Sequence, residues 1–322
     1  MTKKWKKAIA LSLAALTLTG ALAGCGDEKK AASGAAKPAA GQTIKINFPT
    51  AGASGALYAV GAAITNMWSS QVPGVQASSQ ASAGGIANLN MVSEGEAQVS
   101  IAISSNVYQC LNGTDSFKDH AYKDLKAIGG LYLNPNQVVA TANSGINSLK
   151  DVKGKHFAVA SAGSSVYNEC ETHFTAAGLS FPDDIKAEYI TFTDAADMLQ
   201  NGSIDGAWIM SGAPASAVTQ ALTGGAHLVE IDDNLIKELK AKYPWYTSYT
   251  IKAGTYPNQD KDVKTSAIKM VMFCRGDLPE DVVYQLTKTL WEHMDELGQS
   301  QKNLKGLTAE NAVKDIADIP LH

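Results

Sequence analysis

One sequence pattern recurs along the chain: a short apolar strand, a turn rich in glycine and serine, and a helix-like run. Its first copy spans residues 43–71, where Ile44, Ile46 and Phe48 alternate with polar residues ahead of the turn 49–55. Strands that alternate with helices predict parallel sheets in an α/β architecture. Further strands with their turns lie at residues 75–81 with 82–85, 98–103 with 104–106, 156–160 with 161–165, and 204–209 with 210–214.

The turns that follow these strands are candidate ligand-binding loops. In parallel sheets, ligands bind beyond the carboxyl ends of the strands, where helix N-termini present free N–H groups that favour anions. Glycine lets a ligand approach the backbone, while serine and asparagine add neutral hydrogen bonds. In any single loop, a serine or asparagine is better interpreted as a helix N-cap. Four or five such loops in one chain indicate a shared cleft, and the two roles are compatible.

Composition excludes several classes of protein. The chain has 322 residues, of which 45% are hydrophobic and 18% charged, so it is too apolar for a disordered protein and long enough for about two domains. Arg275 is the single arginine, and nucleic-acid binders normally cluster arginine and lysine on one face. We therefore expect no nucleic-acid partner.

The first 42 residues predict export and tethering. Four lysines within the first seven residues precede a run of 15 mostly apolar residues, 8–22, which is short for a membrane span and typical of a secretory signal. The sequence Leu-Ala-Gly-Cys at 22–25 resembles a bacterial lipobox, which predicts lipidation of Cys25; the alternative is an ordinary signal peptide that happens to contain a cysteine. Residues 26–42 are small and polar, as in a flexible linker. Loss of residues 1–24 removes those four lysines and lowers the net charge from −4 to −8.

Templates for catalysis are absent from the sequence. The six histidines are scattered, and neither a GxSxG elbow, a Walker loop nor a GxGxxG motif occurs. Residues 266–269 match the short SxxK pattern, but they fall in a predicted strand, 263–273, so we interpret the match as chance. Cys110, Cys170 and Cys274 allow at most one disulfide and are best interpreted as buried small hydrophobes. We expect no enzyme activity, no cofactor and no metal site.

A series of loop motifs in chain order carries a family resemblance. Together they resemble the TAXI family of solute-binding proteins, which serve TRAP transporters. The resemblance covers residues 44–322, and departures include Asn106, where the family often has aspartate, and the segment 161–167. The motifs lie at residues 50–58 with Gly61, 82–89, 95–97, 105–108, 112–113, 152–155, 163–164, 205–207, 212–214, 243–244, 253–257, 278–284 and 319–322.

The resemblance implies a two-lobed periplasmic-binding-protein-like α/β fold of type II, with a central sheet flanked by helices in each lobe. The expected organisation is a signal peptide at 1–24, a lipidated cysteine with linker at 25–42, lobe I at 43–138 plus 252–322, and lobe II at 139–251. The resemblance also implies that a set of small and polar residues lines the cleft. They are Gly52, Ser54, Gly55, Tyr58, Ser82, Asn88, Ser105, Asn106, Ser164, Ser165, Ser211 and Ala213.

Some of these roles have alternatives. Tyr58 could be a core residue, Asn88 could cap the loop at Ser82, and Tyr256 is expected to pack at the hinge. The implied function is capture of a small carboxylate or amino acid for delivery to a TRAP-type permease. We expect an extracytoplasmic monomer held to the membrane by lipid on Cys25, and the alternative is a ligand sensor or surface interaction lipoprotein with the same fold.

Overall fold

The computed structural model describes residues 43–243, 245–314 and 316–322. The predicted signal peptide at 1–24, the lipidation of Cys25, the linker at 25–42 and Pro244 of the 243–244 motif lie outside the described residues. Among the described residues, no helix combines the length and the apolar composition that crossing a membrane requires.

Strands and helices alternate as the recurring sequence pattern predicts. The described strands are β1 Ile44–Pro49, β2 Val75–Gln80, β3 Val99–Ile103, β4 Leu125–Ala140, β5 His156–Ala158, β6 Lys186–Glu188, β7 Gly206–Met210, β8 His227–Val229, β9 Tyr246–Ile251 and β10 Val263–Arg275. The helices are α1 Ala56–Gln71, α2 Gly85–Ser93, α3 Ser104–Asn112, α4 Ser165–Ala176, α5 Phe192–Gln200, α6 Ser216–Thr223, α7 Asp233–Lys242, α8 Glu280–Glu292, α9 Met294–Ser300 and α10 Ala309–Ala312.

Two long strands, β4 and β10, join two groups of elements. The larger sheet has the order β3-β10-β4-β7-β5-β6, with β9 paired to β10 and β8 paired to β4. The first half of β4 pairs with β10 beside β3, and residues 136–140 at its second half pair with β7. We call the group around β1–β3 the first lobe and the group around β5–β8 the second lobe.

The sheet is mixed, so the prediction of parallel sheets is only partly right. The pairs β1–β2, β5–β6 and β5–β7 are parallel, as the strand–helix alternation predicts. The strand β10 runs antiparallel to β3, β4 and β9, because it returns across the molecule against the direction of β4. The strand β4 is continuous over 16 residues, from Leu125 to Ala140.

Alternate residues of β10 belong to two different cores of the first lobe. Met270 and Met272 pack in the core that includes α1 and α8, whereas Val271 and Phe273 pack against α2 and α3. This division follows from the two-residue period of a strand, which sends neighbouring side chains to opposite faces. The three cysteines are free thiols buried in these cores and in the core of the second lobe, as small hydrophobes would be.

A buried hydrogen-bond network holds α4 against the long strands. His173 Nδ1 lies 2.7 Å from the carbonyl oxygen of Glu169, and its Nε2 lies 2.7 Å from the hydroxyl of Ser266. Burial lowers the pKa of His173 to about 4, so the neutral ring donates at Nδ1 and accepts at Nε2. Ser266 also accepts from the Asn136 amide, whose oxygen accepts from the Trp208 indole. Ser266 is therefore a structural residue within the sheet.

Strand geometry keeps the serine and the lysine of the SxxK match apart. Ser266 points toward the buried network, while the ammonium of Lys269 donates to the carbonyl oxygens of Asn311 and Lys314. Residues three apart in a strand point to opposite faces, so these two side chains do not meet. The interpretation of this match as chance is confirmed by β10.

Replacing Glu169 with glutamine should make stability less dependent on pH. The carboxyl of Glu169 is buried and accepts a hydrogen bond from the Tyr246 hydroxyl at 2.7 Å, and burial raises its pKa from 4.5 to about 7. The native protein keeps this proton between pH 4.5 and 7 while the unfolded chain releases it, so the associated stability is lost as the pH rises through that window. In urea unfolding, we expect the free energy of unfolding of Glu169→Gln to exceed that of the wild type by about 1–3 kcal/mol at pH 8. Near pH 4.5 the two values should be equal.

The matched control is Glu171→Gln, on the exposed side of the same helix. Its stability curve should follow that of the wild type at every pH. The titration of His173 acts in the opposite direction, because its contribution is lost as the pH falls toward 4, and all three proteins share it. Parallel curves for Glu169→Gln and the wild type would refute the assignment of this buried proton.

Candidate binding cleft

A cavity of about 410 Å³ lies between the two lobes. Its walls come from the turns after β1, β2, β5 and β7, from the segment around the start of α5 and from the ends of β3 and β7, with one residue each from β4 and β10. None of the residues that line it is charged. The cavity therefore lies beyond the carboxyl ends of several strands, where α/β sheets bind ligands.

Five helices begin at this cavity. The residues that directly precede α1 to α5 all line it: Gly55, Gly84, Ile103, Ser164 and Thr191. Each helix N-terminus carries a partial positive charge of about half a unit, and its first N–H groups lack partners within the helix. The cavity thus presents a positive potential without any cationic side chain.

Two buried oxygens converge beside the start of α2. Ser165 Oγ and Asn106 Oδ1 have no hydrogen-bond partner among the described residues. A Cβ placed on Gly85 would lie 3.0 Å from Ser165 Oγ and 3.4 Å from Asn106 Oδ1. The lack of a side chain at this position therefore leaves room beside both oxygens. Buried polar atoms normally have partners, because an unpaired one costs about 1–3 kcal/mol. Ser104 Oγ and Ser105 Oγ at the start of α3 also have no partner among the described residues, and of these four oxygens only Ser165 Oγ belongs to a residue that lines the cavity.

The start of α1 is hydrogen-bonded directly to the second lobe. The backbone N–H of Ala56 donates to Ser211 Oγ at 3.1 Å, and the hydroxyl of Ser216 donates to the carbonyl oxygen of Ser54 at 2.7 Å. The hydroxyl of Thr193 lies 3.0 Å from that of Ser54. The turn after β1 therefore meets both the loop after β7 and the start of α5, and these contacts bound one end of the cavity.

Buried polar residues hold the loop after β7 in place. The Gln137 amide donates to the carbonyl oxygen of Ser211 at 2.7 Å, and the Tyr256 hydroxyl donates to Gln137 Oε1 at 2.5 Å. The same hydroxyl accepts from the backbone N–H of Ala215 at 3.0 Å. Tyr256 thus packs behind the loop and does not line the cavity, in keeping with its expected role at the hinge.

The structure brings most of the predicted cleft residues together. Five of the predicted residues do not border this cavity and stay predictions: Tyr58 is exposed on α1, Ser105 and Asn106 are buried at the start of α3, Asn88 is fully buried, and Ala213 borders a different groove. Seven line the cavity: Gly52, Ser54, Gly55, Ser82, Ser164, Ser165 and Ser211.

Sequence reasoning missed the parts of the wall that come from strands. Asn134 of β4 and Met270 of β10 line the cavity, yet each lies inside an apolar strand pattern with no turn nearby. Thr191 and Thr193 could have been found, because they lie between β6 and the body of α5, as the serines of the other turns lie between a strand and a helix. Ala160 also lines the cavity with a φ of 70°, a left-handed conformation that residues other than glycine rarely adopt.

The single arginine of the sequence does not line the cavity. Arg275 forms a two-bond ion pair with Asp277, at 2.8 Å and 2.5 Å, away from the cavity. Within the described part of the chain, no group of three or more histidine, cysteine or acidic side chains is placed to hold a metal ion.

Comparison with known proteins assigns the family. A model of the NMT1-like family matches residues 48–322. The chain belongs to the NMT1-like family. That match spans nearly the same residues as the loop motifs, 44–322.

Solved structures agree on the fold. The periplasmic binding protein BugD matches with 15% identity over 86% of this chain and 91% of its own, with a TM-score of 0.55. A protein of Bordetella bronchiseptica RB50 matches with 16% identity over 85% and 82%, with a TM-score of 0.52. The predicted two-lobed α/β fold of periplasmic binding proteins is confirmed.

Proposed function

We propose that this NMT1-like protein captures a small organic solute between its lobes and delivers it to a membrane permease. A carboxylate or an amino acid is the solute class that the cavity favours. The observation that carries the proposal is the set of five helix N-termini around a cavity without charged side chains. Such a site attracts a carboxylate through backbone dipoles alone, without the arginine that would otherwise neutralise it.

The unpaired oxygens refine the solute class. Asn106 Oδ1 can only accept a hydrogen bond and lies beside Gly85 rather than on the wall of the cavity, so an N–H or O–H group of the solute reaches it only when the lobes rearrange. The hydroxyl of Ser165 can donate or accept. A solute that carries both a carboxylate and an amino or hydroxyl group satisfies these atoms together, while Leu57, Phe192 and Met270 offer apolar contacts to its carbon skeleton.

Closure is proposed to depend on contacts with both lobes, taken as 43–138 plus 252–322 and 139–251. A ligand shifts an equilibrium between open and closed forms only through its different affinity for the two. A solute held by Ser82 and Gly85 on one side and by Ser164 and Ser165 on the other has this difference. The proposed hinge is formed by the two crossing segments, near Val138 in β4 and near Lys252 directly after β9.

The location and partner are proposed from the sequence. We propose an extracytoplasmic protein anchored by lipid on Cys25, with a TRAP-type permease as its partner, and the order of the loop motifs over residues 44–322 supports the TAXI assignment. Cross-linking in intact cells followed by mass spectrometry tests the partner. A permease captured together with an ATP-binding subunit that carries a Walker loop would instead assign an ATP-driven importer.

Native mass spectrometry of the protein expressed without residues 1–25 tests the solute. We expect a co-purified molecule that carries a carboxylate and is recovered unchanged after incubation, as binding without catalysis requires. Chemical alteration of the bound molecule would argue for an enzyme. A protein that carries no ligand and is not stabilised against heat by any member of a panel of amino, hydroxy and keto acids would overturn the proposal.

A further inference from the structure

A second, larger groove lies on the other side of the crossing strands. It has a volume of about 980 Å³. Leu133 and Lys269 line this groove, whereas their strand neighbours Asn134 and Met270 line the solute cavity. Neighbouring residues of a strand point to opposite faces, so the two sites share β4 and β10 as a common wall. An occupant of the groove therefore does not compete with the solute.

The groove concentrates positive charge in an acidic protein. The whole chain has a net charge of −4, yet the groove is lined by five lysines and by Asp318 as its one carboxylate among the described residues. Lys269 is bound to backbone carbonyl oxygens and forms part of the wall. The other four are exposed and form no ion pair with a described residue: Lys240, Lys242, Lys302 and Lys305.

These lysines differ from others on the surface. Lys252 is paired with Asp262 at 2.8 Å, and Lys264 with Asp233 at 2.5 Å, so their charges are compensated locally. Four uncompensated lysines around one concave surface repel one another and attract an anionic occupant. The charge of that occupant is therefore negative.

Aromatic side chains give the groove the character of a protein interface. Trp245 packs against Tyr108 with ring centroids 5.9 Å apart and stacks on Tyr243 at 5.3 Å. Tyr108 and Tyr249 also line the groove, and Tyr108 is exposed. Tyrosine and tryptophan are enriched where proteins bind other proteins. The concave shape suits an inserted polypeptide segment better than a flat membrane surface.

The positive charge comes from both lobes. Lys240 and Lys242 belong to α7 in the proposed lobe II, while Lys302 and Lys305 lie after α9 in the proposed lobe I. Movement of one lobe relative to the other changes the spacing of the two lysine pairs. An occupant that contacts both pairs distinguishes the open form from the closed one.

We infer that this groove docks an acidic segment of a protein partner. The lysines supply attraction and orientation, and the aromatic floor supplies contact area. The inference goes beyond the identity of the solute, and it stands on the groove even if the solute belongs to another class.

A fluorescein-labelled peptide of eight glutamates, added to the full-length protein at low salt, tests the inference by fluorescence anisotropy. Replacing the four exposed lysines with glutamate (K240E, K242E, K302E and K305E together) should weaken peptide binding by at least about tenfold. The matched control is K118E, K123E, K150E and K186E together, which makes the same change in net charge at exposed lysines outside the groove. The control should bind within about threefold of the wild type.

Other outcomes decide against the inference. Equal losses in the two quadruple variants would mean that net charge alone attracts the peptide, and no binding to the wild type would remove the site altogether. Vesicles that contain phosphatidylglycerol are a second probe: groove-dependent binding of vesicles without binding of the peptide would assign a membrane surface instead. If the quadruple variant fails to fold, as judged by circular dichroism, K302A with K305A provides the milder test, with an expected loss of at least about threefold.

Discussion

Gly85→Leu is expected to weaken solute binding by at least about 100-fold. A Cβ at this position would already lie 3.0 Å from Ser165 Oγ and 3.1 Å from the Cβ of Ala102, closer than ordinary van der Waals contact. The remaining atoms of leucine would enter the cavity that Gly85 and Ser165 line, where we place the solute. The fold should survive, because separation of the lobes relieves the contact with Ser165, a shift of a few tenths of an ångström relieves the contact with Ala102 in the same lobe, and Gly85 has no left-handed backbone conformation to lose.

Isothermal calorimetry with the solute found by mass spectrometry measures this effect. Asn90→Leu is the matched control, since Asn90 is exposed on the same helix and its replacement introduces the same side chain. The control should bind as the wild type does. Binding by Gly85→Leu within about threefold of the wild type would show that the space between Ser165 and Asn106 is not used by the solute.

Asn88→Leu is expected to lower the free energy of unfolding by about 2–4 kcal/mol. The amide of Asn88 donates to the carbonyl oxygens of Thr50 at 2.7 Å and Ile101 at 3.1 Å, and its Oδ1 accepts from the hydroxyl of Ser82 at 2.6 Å. Leucine has a similar volume but leaves these buried partners without their hydrogen bonds. The side chain is fully buried, so water cannot replace it without a rearrangement.

Urea unfolding compares this variant with Asn90→Leu on the same helix. The exposed control should change stability by less than about 0.5 kcal/mol, because its side chain makes no buried hydrogen bond. Solute affinity measured on the folded fraction separates two roles for Asn88. A stable variant that has lost its solute would make Asn88 a ligand contact, whereas an unstable one that binds with little change would make it the residue that holds the Ser82 loop.

The sequence predicted the parts of the site that are local. Ser164 precedes α4 and accepts from the Tyr167 N–H, and Gly55 directly precedes α1, as the turn pattern indicates. These positions depend on neighbours a few residues away, through capping and the start of a helix. Seven of the predicted cleft residues come from such turns.

Residues that depend on long-range pairing were not predictable in this way. Asn134 and Met270 face the cavity only because β4 and β10 pair in one register, which also brings Asn136 to Ser266, 130 positions later in the chain. A shift of that register by one residue would turn one strand over relative to the other, so that either Leu133 or Lys269 would replace its neighbour at the cavity. No local pattern in the sequence specifies which of the two faces meets the solute.

Hydrophobic periodicity and turn chemistry alone determined the α/β class and the turns before α1, α2, α3 and α4 that border the cleft, because these features arise from contacts between near neighbours. The tertiary structure alone decided that these four helix N-termini and that of α5 meet around one uncharged cavity. It also decided that Lys240 and Lys242 face the same groove as Lys302 and Lys305. Both arrangements follow from the antiparallel pairing of β4 and β10, whose register is set by the packing of two cores on their opposite faces.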